Sequence, residues 1–202
     1  MSSHFTVVYD ACMLYPAPLR DFLMRLALTD LFRARWSDMI HDEWIRNVLA
    51  QRLDLKPDIL MRTRTLMNAH VRDCLVTGFE HLIPSVKLPD EDDRHVVAAA
   101  IHSGASLIVT FNLKDFPPEQ LTRYNLAAQH PDDFIFDLFD LHPGQVCEAA
   151  ANHRRSLKPA EDGRRVPGHA AQARPHANSW SAAGVEGGHL TDRFEDRPFL
   201  CR

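Results

Sequence analysis

An α/β fold built on a central parallel sheet is predicted from three features of the sequence. Two short β-branched or aliphatic runs, "FTVVYDA" and "SLIVTF", lie far apart and are separated by long stretches with helical periodicity. The second run is apolar throughout, as expected for a strand covered on both faces of a parallel sheet. Hairpin turn signals are few, so the strands are joined by helical crossovers rather than tight turns.

Taken in order, "FTVVYDA" reads as a buried first strand ending on Asp10. "APLRDFLMRLALTDLF" follows as a helix, with Pro18 near its start and Leu19, Phe22, Leu23, Leu26 and Leu31 along one face. In "SDMIHDEWIRNVLAQRL", Ser37 or Asp38 is the N-cap and Ile40, Trp44, Ile45 and Val48 form the apolar stripe. "PDILMRTRTLMNAHVRDCLV" is read as a third helix starting near Pro57. "DRHVVAAAIHSGA" is a fourth, closed by Gly104 as C-cap, and it leads into "SLIVTF". After the loop "NLKDFPP", "HPDDFIFDLFDL" restarts a helix that Pro143 and Gly144 interrupt, with a last piece running to about Leu157.

The aliphatic periodicity stops near Lys158. Five of the chain's eight glycines (Gly163, Gly168, Gly184, Gly187 and Gly188) fall beyond it, mixed with Pro, Arg, His and Ala. The expected organisation is therefore one α/β domain over 1–158 and a low-order or irregular tail over 159–202, whose apolar content is too low to offset its ordering entropy.

The 202 residues, 45% hydrophobic and 25% charged, describe an ordinary globular chain. No apolar run reaches the roughly 20 residues that cross a bilayer. The N-terminus has no basic segment followed by an apolar one, so a cytoplasmic location is expected. The four cysteines show no CxxC or other metal-ligand spacing, which argues against a zinc knuckle or a disulfide framework and for reduced thiols. A net charge of −4 excludes a generic basic coat for nucleic acid but leaves room for a nuclease whose acids are balanced by bound metal.

Several carboxylates fall where open α/β sheets do their chemistry, beyond the carboxyl ends of the strands. Asp10 ends the first strand; Asn112 follows the second, with Asp115 three residues later; Asp93 opens the helix leading into that strand; Glu43 lies inside the second helix. Each has a plain structural alternative. Asp90, Glu91, Asp92 and Asp93 precede a helix, where an acid caps free N–H groups and meets the positive dipole end. Capping accounts for one or two such acids and poorly for four. Asp10 could close an Asx-turn, Glu43 could face solvent, and Asn112 and Asp115 could form a turn. Twelve histidines include no HxH or HExxH pattern, and His95, two residues after Asp93, is expected to point away from it.

The order and setting of these residues resemble the PIN-domain family of ribonucleases, in particular the VapC-like toxins of bacterial toxin–antitoxin pairs. The resemblance runs from about Phe5 to Lys158. It rests on "VVYDACMLYP", "SDMIHDEWIRN", "LPDEDDRHVVAAAIHSGASLIVTFNLKDFP" and "HPDDFIFDL", the third being the most specific. It implies a PIN-like three-layer α/β/α fold and a metal-dependent endoribonuclease. The family's acidic quartet falls on Asp10, Glu43, Asp93 and Asp115, as metal ligands and catalytic groups. Thr110 and Asn112 would orient water or substrate, and Asp90 is an outer acid. Because Asn112 stands where some relatives carry Asp, the fourth ligand falls on Asn112 or Asp115.

Clustered carboxylates without His or Cys partners select hard cations such as Mg²⁺ or Mn²⁺. The resemblance further implies an RNA substrate, a small antitoxin partner and a homodimer, for which the first and third helices are apolar enough. The alternatives are a housekeeping PIN nuclease without antitoxin and a non-catalytic RNA- or protein-binding module.

Overall fold

A computed structural model describes residues 5–157; the segment expected as a low-order tail lies outside the described residues. Five strands form one sheet in the order β3-β2-β1-β4-β5, and every neighbouring pair is parallel. The strands are β1 (Thr6–Tyr9), β2 (Arg33–Ser37), β3 (Leu75–Val76), β4 (Leu107–Val109) and β5 (Ala127–Gln129). The helices are α1 (Ala11–Leu14), α2 (Ala17–Ala27), α3 (Asp38–Gln51), α4 (Pro57–His70), α5 (Arg94–His102), α6 (Pro118–Leu121), α7 (Pro131–Leu141) and α8 (Pro143–Leu157).

The chain moves from β1 outward to β2 and β3, then crosses back to β4 and β5 on the other side. Right-handed crossovers therefore place α1–α4 on one face and α5 on the other. On the first face the Tyr9 hydroxyl donates to the Leu23 carbonyl of α2, and Trp36 Nε1 donates to Asn68 Oδ1 of α4 at 2.7 Å. Tyr9 and Trp36 stack beside each other there, with ring centroids 6.2 Å apart. On the second face α5 presents Val96, Val97, Ala98, Ala99 and Ala100, all fully buried, and the small alanines let it lie close to β1, β2 and β4. The reversal of direction between β1 and β4 creates a crevice at their carboxyl ends, where such sheets bind ligands.

Local signals explain the element ends. Ser37 is the N-cap of α3, its Oγ accepting from the Ile40 N–H at 3.2 Å, which decides between Ser37 and Asp38. Gly104 closes α5 at φ +63°, with Gly104 N–H bonding Ile101 O and Ala105 N–H bonding Ala100 O, the paired bonds of a Schellman motif.

Three expectations are corrected. The first helix stops at Ala27, and the chain turns through Asp30 at φ +58° into an unexpected strand, β2. The third helix stops at His70, so that Leu75–Val76 pairs with Trp36–Ser37 as β3. Ala127–Gln129, unassigned from sequence, is the edge strand β5. Cys12 and Cys74 carry free thiols, as expected.

Candidate active site at the β1–β4 crevice

Asp10 is the first residue beyond β1 and is 2% exposed. Its carboxylate caps α1, with Oδ1 accepting from the Ala11 N–H at 2.6 Å. Oδ2 accepts from the Thr110 hydroxyl at 2.7 Å and from the Cys12 thiol at 3.0 Å. This is not the Asx-turn alternative, which would take the N–H two residues on; Asp10 caps α1 at the Ala11 N–H through one oxygen. Burial nevertheless pushes its pKa up, with Glu43 adding to the rise, while the bonds from Cys12, Thr110 and Ala11 oppose it.

Thr110, directly after β4, is fully buried. Besides donating to Asp10, its Oγ1 accepts from the Asn112 N–H at 2.9 Å and lies 3.4 Å from Cys12 Sγ. The hydroxyl expected to orient water or substrate donates its proton to Asp10. Cys12, which sequence reading passed over, ties the two strand ends together, since its Sγ also accepts from the Phe111 N–H at 3.3 Å.

The four consecutive acids separate into distinct roles. Asp90 Oδ1 accepts from the Asp92 N–H at 2.9 Å, and Glu91 pairs with Arg94 at 2.7 Å. Asp93 occupies the N-cap position of α5 yet makes no side-chain cap bond there. Instead its carboxyl is pushed up to about 8, chiefly by burial and then by the charges of Asp10, Glu43, Asp90 and Asp115. The other three residues of the expected quartet, with the outer acid, therefore all act on Asp93. Asn112 and Asp115 bracket a single 3₁₀ turn after β4, with the Asp115 N–H donating to Asn112 O at 2.9 Å.

Glu43 projects from α3 and is met by α5 in a way the sequence did not suggest. His95 Nε2 lies 3.1 Å from Glu43 Oε2, joining residues 52 positions apart. His95 does not point away from the acids, as its spacing from Asp93 implied; it is bonded to one of them. The available signal was an imidazole at the head of the otherwise apolar run "VVAAA".

An all-oxygen donor set with uncompensated negative charge fits a hard divalent cation in charge and in chemistry. The fit is of charge rather than of a finished shell, because no three His, Cys, Asp or Glu side chains among the described residues converge closely enough to ligate an ion.

Comparison with known sequences bears on the same segments. The PIN domain family matches residues 6–114, which holds β1 to β4 with Asp10, Glu43, Asp90 and Asp93, and ends one residue before Asp115. The family described as the VapC50 C-terminal domain matches residues 131–160, beginning at α7. A Mycobacterium tuberculosis protein named "Putative ribonuclease VapC50" is 54% identical over 50 residues, 25% of this chain. That stretch spans 30% of the length of this relative.

Proposed function

The chain belongs to the PIN-domain family, and on that premise we propose that it is a divalent-metal-dependent endoribonuclease hydrolysing RNA phosphodiester bonds, the toxin of a toxin–antitoxin pair. The observation that carries this reading is Asp93: a carboxyl that caps nothing, held among four other acids and raised to about 8. Such crowding destabilises the fold unless a cation relieves it. A structural role would have left Asp93 bonded to the N-terminus of α5.

Asp10, Asp93 and Asp115 would hold Mg²⁺ or Mn²⁺, with Glu43 beside them and Asn112 as the alternative to Asp115. Bound there, the ion supplies positive charge against the charge developing on the scissile phosphate. The chain's own groups do the rest. Thr110, Cys12 and the Ala11 N–H immobilise Asp10. Asp93 would give up its proton to water where a cation is held, and Asn112, at the start of the turn after β4, would orient water or substrate. Arg46, exposed on α3 three residues after Glu43, would meet a backbone phosphate.

The name of the mycobacterial relative supports RNA as substrate, and the resemblance supports a small antitoxin as partner. A homodimer is supported by Ile59, Met61 and Leu66, exposed on α4. No helix among the described residues is long and apolar enough to cross a membrane; the proposed location is the cytoplasm. The nuclease domain over 1–158 remains the proposed functional unit.

Expression in a bacterium tests the toxin reading. Arrested growth with loss of intact RNA, relieved by co-expressing the product of an adjacent small gene, is expected. Unimpaired growth together with intact RNA would contradict it.

A further inference from the structure

We infer that His95 is a positioning residue for Glu43, holding Oε2 against the α3–α5 contact so that Oε1 is the oxygen offered to a cation in the acidic cluster. The inference rests on the reading of Glu43 as part of a cation-holding set.

His95 sits on the first turn of α5 with 7% of its surface exposed, and among the described residues its one side-chain hydrogen bond is the 3.1 Å contact from Nε2 to Glu43 Oε2. Its other nitrogen, Nδ1, is buried with no partner. A carboxylate oxygen only accepts, so Nε2 donates this bond, and Nδ1 is left without a partner among the described residues. Burying an unpaired polar nitrogen costs free energy that a leucine at the same place would not. The five residues that follow are all apolar, so packing alone does not call for an imidazole here. What the imidazole adds is directional: it fixes one oxygen of a carboxylate whose side chain is otherwise 24% exposed and free to swing. Glu43 Oε1 makes no bond among the described residues and is left for the cluster. Partners of this kind commonly change metal affinity about 10- to 100-fold when removed.

The test is calorimetric titration of the full chain with MnCl₂, comparing wild type, His95→Leu and His95→Gln. Leucine fills the space without a donor, whereas the glutamine amide places an N–H near the position of Nε2. His95→Leu is expected to weaken Mn²⁺ binding about 10- to 100-fold, with His95→Gln close to wild type. Wild-type affinity in His95→Leu, or equal weakening in both variants, would overturn the inference and leave the proposed function standing. No Mn²⁺ uptake by the wild type would remove the metal requirement and the inference together. A second readout needs neither metal nor cleavage: long-range ¹H–¹⁵N spectra of the metal-free protein should show His95 with its proton on Nε2. A proton on Nδ1 would overturn the inference by itself.

Discussion

The hydroxyl of Thr110 donates to Oδ2 of Asp10 at 2.7 Å, joining the ends of β1 and β4 across 100 positions of sequence. This bond closes the floor of the crevice where the chain reverses direction across the sheet. It also spends a carboxylate oxygen on rigidity, so the site is held in place before anything binds.

Thr110→Val keeps the side-chain volume and removes the hydroxyl. It leaves Asp10 Oδ2 with the weak Cys12 thiol and strips the Asn112 N–H of its acceptor. Loss of about 1–3 kcal/mol in stability is expected, read from urea midpoints, with RNA cleavage at least about tenfold lower. Thr110→Ser restores both. Unchanged midpoints in the valine variant would show that the bond contributes nothing.

Asp93 makes the metal-free protein pH-sensitive in a defined direction. Its carboxyl titrates at about 8 when folded and near 4 when unfolded. Between those values the folded state holds a proton that the unfolded state has lost. The associated stability is therefore full below about pH 4 and is lost as pH rises through about 8. In EDTA, Asp93→Asn should raise Tm relative to wild type by at least about 2 °C at pH 8, with the difference shrinking towards pH 5. A difference independent of pH would contradict the electrostatic account. Added Mn²⁺ should stabilise wild type more than the variant.

Asn68 Oδ1 accepts from Trp36 Nε1 at 2.7 Å and lies 3.0 Å from His41 Nε2, tying β2, α3 and α4 together at a buried point. Burial also pulls the His41 pKa down, keeping the ring neutral. Asn68→Leu leaves Trp36 Nε1 and His41 Nε2 without this partner and should cost about 2–4 kcal/mol, measured by chemical denaturation. A loss below about 0.5 kcal/mol would show the network to be incidental.

Gly104 closes α5 at φ +63° with open space where a Cβ would go. Gly104→Ala therefore carries only the backbone penalty, about 1 kcal/mol, and should leave cleavage unchanged.

Much of this was legible in the sequence because local chemistry and tertiary position agree. Ser37, Pro57, Gly104 and Pro131 mark real helix ends, and "TVVY" and "LIV" are strands. The other strands were hidden for separate reasons. β2 carries Arg33 and Arg35, β3 is two residues long, and β5 reads Ala-Ala-Gln with no β-branched residue. Their pairing with stronger neighbours, rather than propensity, makes them strands. The acids of the crevice could be picked out because strand ends and a helix start place them at one edge. The contacts among them could not. That Thr110 serves Asp10, that Cys12 bridges β1 and β4, and that His95 reaches Glu43 depend on residues 52 to 100 positions apart. Spacing along one helix says where His95 lies relative to Asp93; it carries nothing about α3.

The most direct test of the central claim is cleavage of single-stranded RNA by purified protein in Mg²⁺ or Mn²⁺, with wild type, Asp10→Ala and Asp93→Asn side by side. The account predicts cleavage by wild type that EDTA abolishes, and a loss of at least about a hundredfold in each variant. Equal cleavage by all three proteins, or wild-type cleavage indifferent to EDTA, would contradict it.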